Sequence, residues 1–384
     1  MTTAAVRTVR AAQLEAAPWP YAGLTTERPA RPVHQVVLKV HQRCNLACDY
    51  CYVYELADQS WRDRPATMPP DVWQATLGEL TRHVERHALT SLEVVLHGGE
   101  PLLLGAARLD TLAAELRAAV PAGCDLEIGL QTNGVLLDEA KAEVFRRHRI
   151  RVGVSVDGLP ADHDRHRLTA GGRGTSAAVA RALELLGRPA NREIFAGLLC
   201  TVSPGTDPVA TLAYLSSFRP PMIDLLLPHA NWATPPEGPF ADWLIAAFDS
   251  WYDTVSPPRV RLFDDLLALL LGGAGRSEQL GLSPVALAVI ETDGTIELVD
   301  TLKSAYPGAT ATGLDIRHDR LDDLLTNPGY LARQIGVEAL SDECRCWRRA
   351  RGRWPGGGGT FRIWGSTSTS PATNSCTRAS PTTC

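Results

Sequence analysis

The chain has 384 residues, 45% of them hydrophobic and 21% charged, with 38 Lys and Arg against 43 Asp and Glu. Such a balance is that of an ordinary globular enzyme, with one large domain and a smaller C-terminal one as the expected division. Net charge is −5, and residues 341–384 hold seven Arg against Asp342 and Glu343, so the rest of the chain is more acidic still and gives no electrostatic reason to bind nucleic acid.

The first thirty residues include Arg7, Arg10, Pro18, Pro20 and Pro29 and no unbroken apolar run. Neither a secretory signal nor a membrane span is expected there, which places the protein in the cytoplasm with no membrane partner. Nine cysteines in such a chain argue for metal binding or reactive thiols rather than a disulfide framework. Cys124 and Cys200 stand alone in apolar stretches and read as small core hydrophobes.

Residues 34–40 predict a buried strand, and a cysteine-rich loop follows its end. Within eight residues it carries Cys44, Cys48 and Cys51, a C-x3-C-x2-C spacing. A disulfide takes two cysteines in constrained geometry, and a structural zinc site takes four ligands in two separated pairs. The triplet fits neither well. It fits an iron–sulfur cluster held by closely spaced thiolates, with one metal position left open.

Further strands are predicted at 92–97, 126–131, 151–156, 194–202 and 222–227. Helix-period segments lie between them near 71–88, 107–120, 138–148, 175–187 and 207–218. Six alternations of strand and helix require a parallel sheet with right-handed crossovers, whose ligands bind at the carboxyl ends of the strands. At those ends stand His97-Gly-Gly-Glu-Pro101, Gln131-Thr-Asn-Gly134 and Ser155-Val-Asp-Gly158. Each alone could be a simple turn, but their positions agree with that of the cysteine loop.

Beyond residue 228 the pattern changes. Amphipathic helices are expected at 240–254 and 260–271, with Trp243, Phe248, Trp251 and Phe263 in the core. After the Gly272–Gly275 break, Leu287–Ile290 and Thr295–Val299 flank an Asp-Gly turn and predict a hairpin.

The C-x3-C-x-aromatic-C pattern, with Tyr50 at the aromatic position, resembles the signature of the radical S-adenosylmethionine (SAM) enzymes. The resemblance implies a [4Fe–4S] cluster on Cys44, Cys48 and Cys51, with SAM on the fourth iron. It further implies one-electron cleavage of SAM to a 5'-deoxyadenosyl radical. Gly98, Gly99 and Glu100 resemble a motif that holds the SAM amino group, a task for which a carboxylate acceptor is suited. Tyr50, Asn133, Ser155 and Arg167 resemble further SAM contacts. The implied fold is α/β, a partial (βα)6 TIM-like barrel over 34–230 after an N-terminal extension (1–33).

Residues 231–346 resemble a helical segment and a SPASM-like domain, a module that normally carries auxiliary iron–sulfur clusters. Val299 stands where relatives place a cysteine, so the usual auxiliary-cluster scheme lacks that ligand. Asp300, next in sequence, matches a carboxylate that relatives use as a base.

Several stretches, among them Cys51–Glu55, Ala57–Trp61 and Leu225–His229, resemble the FxsB-type group, which forms carbon–carbon cyclophane crosslinks in ribosomal precursor peptides. A precursor peptide and an external donor of the flavodoxin or ferredoxin type are the implied partners. An anaerobic sulfatase maturase and a non-catalytic cluster-carrying or peptide-binding protein are the alternatives.

Asp342-Glu-Cys344-Arg-Cys346 falls one residue short of the family's C-R-x-C-P segment, and the 347–384 tail that follows has no strand or helix period. We expect a reading-frame shift near Cys346, which would leave Cys344, Cys346, Cys376 and Cys384 without ligand spacing. Resequencing the gene across this point should reveal the shift; the same frame on independent DNA would remove the idea.

Overall fold

The computed structural model describes residues 30–231, 235–273, 275, 280 and 283–335. The predicted tail and its four cysteines lie outside them.

Six parallel strands form the body: β1 (Gln35–His41), β2 (Ser91–Gly98), β3 (Asp125–Thr132), β4 (Ile150–Ser155), β5 (Phe195–Thr201) and β6 (Met222–Leu226). They pair in sequence order, β1 beside β2 through to β5 beside β6. Helices α1 (Pro70–His87), α2 (Gly105–Ala119), α3 (Glu139–His148), α4 (Pro160–His166), α5 (Ser176–Gly187) and α6 (Pro208–Ser217) lie in the crossovers. All six strands and five of these helices answer to sequence expectations. The short α4 does not: too brief to display a period, it starts at Pro160, whose fixed φ suits a first helical turn.

Local chemistry sets the helix ends. Asp138 caps α3 by accepting from the Lys141 amide at 2.9 Å, and Asp207 caps α6 by accepting from the Val209 and Ala210 amides at 2.9 and 3.0 Å. Ala88 and Arg149 close α1 and α3 in the left-handed region, at φ 47° and 50°.

Strand alternation divides the structure into two environments. Val36, Leu38, Leu92, Val94, Leu96, Ile128, Val152 and Val154 are buried with Trp73, Leu80, Leu109 and Phe145 of the helices in one core. Their alternates in β2 to β5 are partly open, and Glu93, Glu127, Gly129, Arg151, Gly153 and Gly197 line a cavity along the strands. Period two thus separates packing residues from those free for chemistry. Cys124 and Cys200 are both buried in the core, as expected.

Helices α7 (Phe240–Tyr252) and α8 (Arg261–Leu270) follow, separated by the two-residue strand β7 (Arg259–Val260), which extends the sheet beyond β6. Trp243 and Phe263 are buried, and Phe248 and Trp251 pack against the core half-exposed. The expected hairpin is β8 (Leu287–Ile290) and β9 (Thr295–Glu297), antiparallel, with Ile290 opposite Ile296.

The hairpin does not stand apart from the core. β8 pairs in parallel with β1, from Gln35 opposite Leu287 to Leu38 opposite Ile290, and β10 (Ala311–Asp315) adds to β9. One sheet of ten strands results, in the order β10-β9-β8-β1-β2-β3-β4-β5-β6-β7. A 3-10 turn at Leu321–Thr326 and α9 (Pro328–Ile335) end the described chain. Among the described residues no helix is long and apolar enough to cross a membrane.

Candidate cluster and cofactor site

The cysteine loop leaves β1 at its carboxyl end and lies against the turn that follows β2. Pairing of β1 with β2 shifts register between Lys39 and His41, so His41 lies opposite Gly98. The Gly99 amide then donates to the His41 carbonyl at 2.8 Å, and the Glu100 amide to the Arg43 carbonyl at 3.0 Å. Gly98 has φ 141°, and a Cβ there would collide with the His41 carbonyl. At Gly99 a Cβ would meet the Arg43 backbone at 2.6 Å and overlap the Tyr54 hydroxyl. Both glycines are required by contact with the cysteine loop itself.

Cys44, Cys48 and Cys51 are partly exposed free thiols that line one cavity of about 190 Å³. The Leu46 amide donates to Cys44 Sγ at 3.4 Å, and Asn133 Nδ2 approaches the same sulfur at 3.7 Å. Burial pushes the Cys44 thiol up to about 12, with Glu100 and the other two cysteines adding to the rise. Burial likewise pushes Cys48 up to about 11, against the opposing charge of Arg167. Three buried thiols whose ionisation is costly suit a shared cationic centre, which would reverse that logic.

Tyr50, Asn133, Ser155 and Arg167 line the same cavity, with the Gly98 and Gly99 backbones. Asp157, named by no sequence expectation, organises this wall. Its Oδ2 accepts from Arg167 Nε at 2.8 Å and from the Tyr50 hydroxyl, and its Oδ1 accepts from the Thr201 amide at 3.0 Å. Burial opposes its charge, but Arg167 together with the hydrogen bonds from Tyr50 and the Thr201 amide holds the Asp157 carboxyl below its ordinary range. Arg167 also lies over the Tyr50 ring, 5.5 Å from its centroid. Ser155 accepts from Gln131 Nε2 at 3.0 Å.

Glu100 does not line the cavity. It is fully buried, and its oxygens accept from the Leu102 amide at 2.9 Å, Thr132 Oγ1 at 2.7 Å and the Asn133 amide at 2.8 Å. From there the carboxylate positions Asn133. Asp300 also lies behind the wall: Tyr52, which does line the cavity, donates to Asp300 Oδ2 at 3.3 Å, and Lys39 Nζ binds the same oxygen. Burial would raise the Asp300 carboxyl, but Lys39 and then Lys303 hold it well below its ordinary range.

His97 completes this side of the cavity. The Gly98 amide donates to its Nδ1 at 2.7 Å and Lys39 Nζ stands 3.4 Å away, two donors against the one acceptor there, the Gly98 carbonyl at 3.1 Å, which favours the ring proton on Nε2. Burial, followed by the charge of Lys39, lowers its pKa to about 3. Lys39, Tyr52, His97 and Asp157 escaped sequence reading because their roles arise from strand register and neighbours distant in sequence. For His97 and Asp157, positions at or just after strand ends were the available signal; Lys39, inside β1, offered none.

A parallel strand bundle bearing three cysteines on the loop after β1, and a polar cavity at its strand ends, has the architecture of a radical SAM core. Residues 38–192 match the Radical SAM superfamily. Over 281 residues the chain is 27% identical to the cysteine-type anaerobic sulfatase-maturating enzyme of Clostridium perfringens (strain 13 / Type A), spanning 69% of this chain and 73% of that enzyme. Its fold resembles anSMEcpe with bound AdoMet and Cp18Cys peptide, with TM-score 0.68, 22% identity and coverage of 81% of this chain and 85% of that one. It also resembles Streptococcus suis SuiB bound to precursor peptide SuiA, with TM-score 0.53, 13% identity and coverage of 78% and 66%. The cofactors are a [4Fe–4S] cluster and SAM, and the three thiols converging on one cavity fit them.

Two outcomes are expected. Asp157→Asn releases Tyr50 and Arg167 without touching a cysteine, so iron content should stay at the wild-type level while SAM cleavage falls at least roughly 10-fold, the effect of losing about 1.4 kcal/mol of positioning; unchanged cleavage would refute the role. His97 binds its proton more readily unfolded, near 6.5, than folded, near 3. Its neutral form therefore contributes stability above pH 6.5 that is lost as pH falls towards 3, about 1–2 kcal/mol by pH 5. Denaturant titrations at pH 7 and pH 5 should show a smaller acid loss for His97→Gln than for wild type, and equal losses would count against it.

Proposed function

We propose that this chain is a peptide-modifying radical SAM oxidase that installs a carbon–carbon cyclophane crosslink in a ribosomal precursor peptide. The observation that carries this reading is the aromatic wall of the cavity. Tyr52 and His229 meet edge to face, with centroids 4.9 Å apart, beside Leu226, Leu227 and Pro228. Such a ledge suits a substrate arene, which packs edge to face and gains from apolar surroundings.

When bound, the cluster supplies one electron that cleaves SAM and yields a radical able to take hydrogen from a substrate side-chain carbon. Cys44, Cys48 and Cys51 hold the cluster. Tyr50, Arg167, Asn133, Ser155 and the Gly98–Gly99 backbone orient SAM, with Asp157 and Glu100 fixing them from behind.

Asp300 is the proton acceptor, reached through the Tyr52 hydroxyl. Ring closure leaves a cyclised radical that must lose one electron, returned to the oxidised cluster, and one proton, which passes to Asp300; Lys39 makes Asp300 a weak base, which suits the strongly acidic proton of that radical. An external donor of the flavodoxin or ferredoxin type supplies the electron.

A second reading, oxidation of a Cys or Ser to formylglycine, is supported by the 27% identity to the cysteine-type sulfatase-maturating enzyme. Anaerobically reconstituted enzyme, given SAM and dithionite, would be offered the peptide encoded beside its gene and a sulfatase-derived Cys peptide. Crosslinking predicts a two-hydrogen loss in the first, inert to hydrazide, with the linkage retained on fragmentation. A hydrazide-reactive aldehyde on the Cys peptide alone would favour the second reading. Absence of 5'-deoxyadenosine throughout would overturn both and leave a non-catalytic protein.

A further inference from the structure

Away from the cavity, α1 carries His83 and His87 one helical turn apart, on the face turned towards the 3-10 turn at Leu321–Thr326. The His83 side chain is fully buried. Its Nε2 lies 3.0 Å from the Val33 carbonyl, which can only accept, so that nitrogen carries the proton. Its Nδ1 is then a lone pair, yet it faces Asp322 Oδ1, another acceptor, at 3.1 Å. His87 Nε2 points at the same oxygen from 2.7 Å. Two imidazoles and a carboxylate thus bring ligand atoms within 4.8 Å of one another.

We propose that His83, His87 and Asp322 form a binding site for one divalent cation of the zinc class. Two imidazole nitrogens and one carboxylate oxygen, with water in the fourth position, are a donor set for such an ion. The Val33 carbonyl on His83 Nε2 supplies the outer partner that orients a ligating histidine. Burial lowers the pKa of His83, which favours the neutral ligand form.

Of the arginines nearby, Arg82 pairs with Glu79 at 2.7 Å, whereas Arg86 Nε binds the second oxygen of Asp322 at 2.5 Å, holding that carboxylate in place and leaving Oδ1 to the ion. The other carboxylate group of this kind, Glu291, Glu297 and Asp300, already surrounds Lys39, Lys303 and Arg64 and needs no metal.

The ion would be a clamp. Val33 precedes β1, both histidines ride on α1, and Asp322 follows Leu321, which is fully buried and whose amide donates to Glu79 Oε1 at 3.0 Å. One ion therefore ties the C-terminal extension to the barrel's first crossover helix, far from the reacting atoms.

The test uses full-length, cluster-loaded enzyme, so that Cys44, Cys48 and Cys51 are occupied, dialysed against zinc. Wild type should retain one zinc per chain more than either His87→Ala or the isosteric Asp322→Asn. Zinc-edge absorption of that additional ion should show nitrogen and oxygen ligands near ~2.0–2.1 Å, and the wild-type unfolding midpoint should rise with zinc while those of the variants do not. Equal zinc content in all three proteins, or sulfur ligands alone near ~2.3 Å, would overturn the site. A wild-type midpoint that responds to pH and not to zinc would also overturn it, by giving the pair a proton instead of a metal.

Discussion

Two backbone hydrogen bonds, from the Gly99 amide to His41 and from the Glu100 amide to Arg43, hold the cysteine loop against the turn after β2. Everything the cavity can do depends on them. Three thiolates can share one cluster only if the loop is held in a single shape, and a loop of this kind has little core of its own to hold it. The chain solves this by running a second strand end alongside it, so close that Gly98 and Gly99 have no room for a Cβ. The same approach carries Glu100 into the interior, where its oxygens bind the Thr132 hydroxyl and the Asn133 amide and so link the ends of β2 and β3.

Around this anchor the cavity has two electrostatic centres. On one side Asp157 gathers Tyr50, Arg167 and the Thr201 amide, a charged and hydrogen-bonded wall suited to a polar cofactor. On the other, Asp300 meets Lys39 and Tyr52 beside the neutral ring of His97. Each carboxylate is kept ionised by a buried cation, Arg167 in one case and Lys39 in the other. The two sides nonetheless differ in chemistry: Asp157 has its oxygens taken by donors, whereas Asp300 Oδ1 is buried without a hydrogen bond among the described residues and has Lys303 Nζ 3.6 Å away.

Much of the barrel was legible because its strands and helices announce themselves by period. The cysteine loop, Tyr50, Asn133, Ser155 and Arg167 were legible because they follow strand ends in recognisable motifs, and the structure brings them to one cavity. Glu100 and Asp300 show the limit of motif reading. A motif marks that a residue matters but not whether its side chain reaches the cavity or stands behind it, and both stand behind. Lys39 was illegible for another reason: inside a strand of Val and Leu it looks like an interruption, and only the pairing of β1 with both β2 and β8 reveals that it faces His97 and Asp300. The hairpin was visible, but its docking on β1 was not, since sheet neighbours some 250 residues apart leave no local trace.

That docking explains a buried charge cluster that would otherwise be costly. Lys39, Lys303 and Arg64 meet Glu291, Glu297 and Asp300, nearly all shielded from water, with Asp293 pairing with Arg64 at the more exposed edge. Such groups contribute little net stability over an apolar core, but losing one partner leaves an uncompensated charge worth about 3–5 kcal/mol. Lys39 comes from β1 and Arg64 from the loop beyond the cysteines, while the carboxylates and Lys303 come from the hairpin and the turn after it. A slip of one residue between β1 and β8 would turn Lys39 and Glu291 to opposite faces and strand several charges at once. The cluster therefore acts as a register lock. It admits one alignment of the C-terminal extension on the barrel, and that alignment carries Asp300 to the back of Tyr52.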